Sequence, residues 1–141
     1  MVQPARISIT GTQRMDGMEP ETLQLVTDGS YCYEPGYVRI TYIESEMTGL
    51  EGVVTAFTID EGRRVTLRRT GKVNAEMLFD LAAPHDSLYD MGFGTMMISV
   101  VTEGMTTLLN EHGGVLDLDY RVEVEHTLCS RNRYHIEIQT V

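Results

Sequence analysis

Apolar and polar residues alternate with a period of two along most of this chain, and the clearest stretch runs from Val115 to Cys129. Its apolar positions are Leu116, Leu118, Tyr120, Val122, Val124, His126 and Leu128. Side chains along a β-strand point alternately to opposite faces. The pattern therefore predicts one long strand, with these residues on a dry face and the acidic residues between them in solvent.

Turn signals separate the other strand-like segments. Glu34-Pro35-Gly36-Tyr37 suits a type II turn, because proline fixes φ at the second position and glycine supplies a positive φ at the third. Asp60-Glu61-Gly62 suits a three-residue hairpin loop. Asp28-Gly29 suits either a tight turn or a bulge inside a long strand, and we favour the bulge. Further breaks are expected near residues 70–72, 82–84, 92–94, 103–104, 112–114 and 130–132.

Strands that follow one another through short loops pair antiparallel with their neighbours. No segment shows a sustained helical period, and closure into a barrel would remove exposed sheet edges. The sequence therefore predicts that residues 1–141 form a single all-β domain. We expect a closed antiparallel up-and-down β-barrel with roughly eight to ten strands and essentially no helix.

Composition narrows the classes of function. The chain has 141 residues, 42% of them hydrophobic, which is ordinary for a globular domain with a core. Its formal net charge of −10 disfavours nucleic acid and anionic membrane surfaces as partners. No signal peptide or membrane span is visible, so we expect a soluble cytoplasmic protein. Cys32 and Cys129 lack metal-ligand spacing and are expected to be buried thiols, so no metal or cofactor is indicated.

The segment from Glu44 to Gly52 is the first candidate for chemistry, since it combines three acids, two hydroxyls and two glycines. Glu44, Glu46 and Glu51 could hold a cation through their carboxylates. The alternative, which we favour, is a tight corner with Leu50 turned inward and the acids in water. The basic run from Arg63 to Lys72 likewise suits either an anion patch or, preferably, cross-strand pairing with acids on neighbouring strands.

The barrel interior is the second candidate. Tyr120 and His126 share the predicted dry face, and Tyr134 is expected to join them from the last strand. Buried hydroxyl and imidazole groups need partners, so these three residues are the candidate ligand contacts. No Ser/His/Asp or Cys/His arrangement follows from the spacing, and no catalytic residue is assigned.

Three segments, Ile7–Gln13, Tyr42–Val53 and Gly71–Asn74, resemble the YwiB-like family, small bacterial proteins of unknown function with a calycin-like β-barrel. The resemblance implies a lipocalin-like barrel whose interior could accept a ligand, and it implies no activity. The chain has no tryptophan, so the Gly-x-Trp signature of true lipocalins is missing. The Arg-x-Tyr clamp of fatty-acid-binding proteins is also absent, since residues 131–134 read Arg-Asn-Arg-Tyr.

The leading hypothesis is a non-enzymatic barrel that binds a small apolar or amphipathic molecule. The alternative is a protein-interaction or structural module whose barrel is filled by its own side chains. An enzyme or metal site on the acidic loop is the third possibility. A cavity of ligand size would favour the first hypothesis over the second.

Overall fold

Ten antiparallel strands form one closed barrel in the computed structural model, which describes residues 2–90 and 94–141. The strands are β1 (Val2–Met15), β2 (Glu21–Glu34), β3 (Tyr37–Ile43), β4 (Val54–Asp60), β5 (Arg64–Thr70), β6 (Asn74–Asp80), β7 (His85–Asp90), β8 (Thr95–Asn110), β9 (Gly113–Val124) and β10 (Thr127–Thr140). Each strand pairs with its neighbours in chain order, and β1 pairs with β10 to close the ring. The predicted all-β antiparallel up-and-down barrel is confirmed.

Helix is almost absent from the described residues, where one 3₁₀ turn (Glu46–Thr48) is the sole helical element. No helix in this part of the chain has the length and apolar character needed to cross a membrane. The turn expected near residues 92–94 falls mostly outside the described residues, which omit 91–93. At the β2–β3 turn, Gly36 has the positive φ, 79°, that the predicted type II turn requires.

Two of the predicted breaks lie inside strands in the structure. The break predicted at residues 130–132 is wrong, because these residues belong to β10 and pair with both β9 and β1. The break at residues 103–104 is a bulge inside β8, where the register with β9 shifts between Thr102 and Gly104. A bulge bends a strand and keeps it in the sheet, so the two strands predicted here form a single strand that is 16 residues long.

The bulge predicted at Asp28-Gly29 is wrong, because β2 passes this point without a register shift against β1. Glycine is required at position 29 for a different reason, the close approach of neighbouring groups. A Cβ on Gly29 would lie 2.3 Å from the carbonyl oxygen of Thr41 and 2.6 Å from Cδ1 of Ile7.

The long strand predicted from 115 to 129 is also wrong. It is a hairpin in which β9 ends at Val124, and Glu125 and His126 turn the chain with φ values of 52° and 65°. The alternation continues through this turn, and the turn uses neither glycine nor proline, so the pattern gave no sign of it. His126 is exposed in the turn, and its predicted place in the barrel interior is therefore wrong.

Inward side chains fill one half of the barrel. Strand pairing places Val38, Ile59, Val65 and Phe79 side by side in one buried row. Tyr31 is fully buried nearby, and its hydroxyl donates a hydrogen bond of 2.7 Å to the carbonyl oxygen of Asn110. We call this the closed end of the barrel, where the β2–β3 and β4–β5 turns lie. The opposite end, with the β3–β4 and β9–β10 turns, is the open end.

The outer wall carries cross-strand ion pairs, as expected for part of the basic run. Arg64 lies 3.4 Å from Asp80, and Arg68 pairs with Glu76. On β10, His135 lies between two acids: Nδ1 is 2.5 Å from Asp117, and Nε2 is 3.3 Å from Glu137.

Removal of a core side chain tests the inward and outward assignment. Leu118 is fully buried, so Leu118→Ala should lower the free energy of unfolding by about 2–5 kcal/mol through lost burial and a residual cavity. Leu108 is 68% exposed, and Leu108→Ala should change the free energy of unfolding by less than about 0.5 kcal/mol. Urea denaturation measures both. Equal losses would mean that the register is misassigned.

The His135 site should show in a pH titration. Hydrogen bonds that the His135 ring donates to Asp117 and, to a smaller extent, to Glu137 raise its pKa above the ordinary value of 6.5. A raised pKa means that the folded state favours the protonated ring. The resulting stabilisation is therefore full below the unfolded pKa and disappears as pH rises through the folded pKa. NMR titration of Asp117→Asn should give a lower His135 pKa, whereas Asp60→Asn on the distant β4 should leave that pKa in place.

Candidate functional site

A cavity of about 660 Å³ occupies the open end of the barrel. Its apolar lining residues include Ile9, Leu25, Met77, Ile98, Val122 and Val124. Tyr120 and Tyr134 also line it, as do the polar side chains of Glu44 and Arg69. The barrel is thus filled at one end and hollow at the other.

The change from filled to hollow takes place across one row of inward residues. Ile40, Phe57 and Leu67 lie side by side in a buried apolar row. The next row toward the open end consists of Tyr42, Thr55 and Arg69, followed on β6 by Ala75. From this polar row, Tyr42 and Arg69 line the cavity and bring a hydroxyl and a guanidinium group to it.

Tyr134 and Tyr120 form the aromatic part of the cavity. Nη2 of Arg69 donates a hydrogen bond of 3.2 Å to the hydroxyl of Tyr134. The Tyr134 ring stacks on Tyr120 with centroids 6.1 Å apart and meets Phe57 edge-on at 5.9 Å. Of the three interior residues predicted from the sequence, the structure brings Tyr120 and Tyr134 together and leaves His126 in the exposed turn.

Glu44 is the acidic member of the site, with only 4% of its surface exposed. Ile40 and Tyr42 point inward from β3, and Glu44 continues this alternation one residue past the end of the strand. The backbone N–H of Glu44 donates to the carbonyl oxygen of Val53 at 2.8 Å and so holds the residue in place. Its Oε1 accepts a hydrogen bond of 2.8 Å from Oγ1 of Thr55. Its Oε2 is buried and has no hydrogen-bond partner among the described residues.

The pKa of Tyr42 reports the same electrostatic environment. Burial raises this pKa strongly, and the negative charge of Glu44 raises it further, while Arg69 acts in the opposite direction. Tyr42 therefore remains a neutral hydroxyl in the lumen throughout the physiological pH range.

The three acids of the 44–52 segment lie in different environments. Glu46 belongs to the 3₁₀ turn and is exposed, and Glu51 is exposed as well. The expectation that the acids lie in water is therefore met by these two and is wrong for Glu44. No group of three or more His, Cys, Asp or Glu side chains within residues 2–90 and 94–141 is arranged to hold a metal ion.

Arg69 is a candidate functional residue that the sequence analysis did not identify, because it assigned the whole basic run to an anion patch or to cross-strand pairs. The signal was present, because Val65, Leu67 and Arg69 occupy alternate positions and so share one face of β5. Arg64 and Arg68, on the other face, make the expected cross-strand pairs.

Residues 7–136 match the model of a domain of unknown function, DUF1934. The chain belongs to the DUF1934 family. The structure of this DUF1934 domain is similar to the crystal structure of the YwiB protein from Bacillus subtilis, with a TM-score of 0.85. The two chains are 23% identical, and the match covers 99% of this chain and 93% of the other. This likeness establishes the fold and confirms the YwiB-like resemblance. No curated protein matches this DUF1934 domain.

The Thr55–Glu44 hydrogen bond predicts a stability effect. Thr55→Val keeps the shape of the side chain and removes the donor, so it leaves the buried Glu44 carboxyl without this partner. It should lower the free energy of unfolding by roughly 1–3 kcal/mol. Thr58→Val, at a half-buried position on the same strand but the opposite face, is the matched control and should cost much less. Similar values for both variants in urea denaturation would contradict a supporting role of Thr55.

Proposed function

We propose that this DUF1934 domain binds one small amphipathic molecule in the open half of its barrel. The observation that carries the proposal is the cavity of about 660 Å³, which is within the range of roughly 300–1,000 Å³ typical of small-molecule sites. Apolar walls with a few convergent polar groups are the usual composition of such sites.

The distribution of polar groups around the lumen supports an amphipathic rather than a purely apolar ligand. In the ring of ten strands, β9 lies opposite β4, and β8 lies opposite β3. Glu44 and Arg69 line the cavity on the side of β3 to β5, and Ile98 on β8 and Val122 on β9 line the facing side. The neighbouring strand β10 adds the polar residues Ser130, Asn132 and Arg133. A molecule with one polar and one apolar side matches this division.

A half-hollow barrel also fits the lipocalin-like fold that the family resemblance implies, and we propose that it serves as a non-enzymatic carrier. In this proposal the ligand is held and released without chemical change. The half-buried thiols Cys32 and Cys129 suit a reducing compartment, and we place the protein in the cytoplasm.

The alternative function, a protein-interaction module, has one observation in its favour. Leu88 and Met97 lie opposite each other on β7 and β8, and both face outward with 57% and 56% of their surface exposed. Such a module would bind its partner on the outer wall, and filling the lumen would not affect that binding. The cavity has no role in this alternative, so we favour the small-molecule ligand.

Filling the cavity tests the binding proposal. Val122 lines the lumen, and Val122→Phe should weaken binding of the neutral fluorophore Nile red at least tenfold while the barrel stays folded. Val26 is 64% exposed on the outside of β2, so Val26→Phe adds the same ring without entering the cavity and should bind as wild type. Fluorescence titration measures affinity, and circular dichroism checks the fold. Equal binding by both variants would argue against a site in the lumen.

A further inference from the structure

Glu44 is an unusual group for a barrel lumen, because a carboxyl group is rarely buried without full hydrogen bonding. Thr55 satisfies Oε1, whereas Oε2 has no hydrogen-bond partner among the described residues. The negative charge of Glu44 raises the pKa of Tyr42, and a side-chain hydrogen bond between the two groups also raises it, so the Tyr42 hydroxyl lies beside this carboxylate. Oε2 itself still has no hydrogen-bond partner among the described residues. A buried acceptor in this state is destabilising until a donor reaches it.

Glu44 lies in the wall of the cavity near the open end. It comes directly after β3, two residues beyond Tyr42, so it lies closer to the open end than the row of Tyr42, Thr55 and Arg69. Only 4% of its surface is exposed, and Oε2 itself is buried. A polar group arriving at the open end therefore meets Glu44 before it meets Arg69.

Charge favours a cationic donor at this point. A charge-assisted hydrogen bond to a carboxylate is roughly twice as strong as a neutral one. Glu21 also lines the cavity, and the exposed Glu46 and Glu51 belong to the loop that follows Glu44. With a formal net charge of −10, the protein's field concentrates cations near its surface and opposes the entry of anions.

We propose that the polar end of the ligand is a protonated amine that donates a hydrogen bond to Oε2 of Glu44. Its apolar part then lies against Ile98, Val122 and Val124 on the facing wall. This inference rests on the proposed binding function and specifies the chemical class of the ligand. A carboxylate ligand held by Arg69 and Tyr134 is the competing possibility, and the experiment below separates the two.

The experiment uses the full chain and four probes that share a ten-carbon tail: decylamine, decanol, decanoate and decyltrimethylammonium. Each competes with Nile red at neutral pH, below micelle-forming concentrations. We expect decylamine to displace Nile red at a concentration at least tenfold lower than decanol or decanoate. Glu44→Gln should abolish this advantage, because the amide replaces one acceptor oxygen with a donor. Glu46→Gln, at an exposed position two residues away, is the matched control, and this variant should still bind decylamine more tightly than decanol or decanoate.

The trimethylated probe gives a second measurement that needs no variant. It keeps the positive charge and has no N–H, so it should lose the advantage of decylamine if Glu44 accepts a hydrogen bond. Equal affinity for the two cations would overturn the inference, as would an amine advantage that survives in Glu44→Gln. Tighter binding of decanoate would also overturn it, in favour of the Arg69 side. In each of these cases Nile red still binds, so the proposed function stands. If Nile red and all four probes fail to bind the wild-type chain, the proposed function fails, and this inference fails with it.

Discussion

The structure depends on the pairing of β1 with β10, which joins the two ends of the sheet. The register runs over eleven residue pairs, from Ala5–Thr140 to Met15–Ser130. Without this pairing the ten strands would form an open sheet with two long exposed edges. Closure also sets the size of the lumen, because the diameter of a barrel grows with its number of strands. The space inside ten strands is therefore either filled by side chains or left open. In this chain it is filled at the closed end and left open at the open end.

Period-two alternation was sufficient to predict most of this architecture, and its failures have a common physical cause. Alternation records which way a side chain points and carries no information on where the chain reverses. Glu125 and His126 continue the pattern through a turn, so the sequence predicted one strand where the structure has a hairpin. At Gly29 the sequence predicted an irregularity where the strand is regular. Glycine was interpreted as the sign of a bulge, whereas it is required there because neighbouring groups approach closely.

The candidate site was predictable in part for the same reason. Tyr120 and Tyr134 occupy inward positions, as the alternation indicated, and both line the cavity. Arg69 and Glu44 also follow the alternation, but charged residues are normally exposed, and that general expectation prevailed over their position in the pattern. Which inward residues leave a space cannot be predicted from the alternation, because it depends on side chains from strands far apart in sequence meeting in one row.

The polar row is difficult to explain by stability alone. Apolar rows closer to the closed end show that this barrel can pack inward positions tightly. Replacing buried charged groups by well-packed apolar residues is often neutral or stabilising. Continuing the apolar packing through Tyr42, Thr55 and Arg69, and on to Glu44, would also remove a buried carboxyl oxygen that has no hydrogen-bond partner in the described structure. Stability alone gives no reason for these groups beside a cavity, whereas the proposed binding of an amphipathic ligand would use them there.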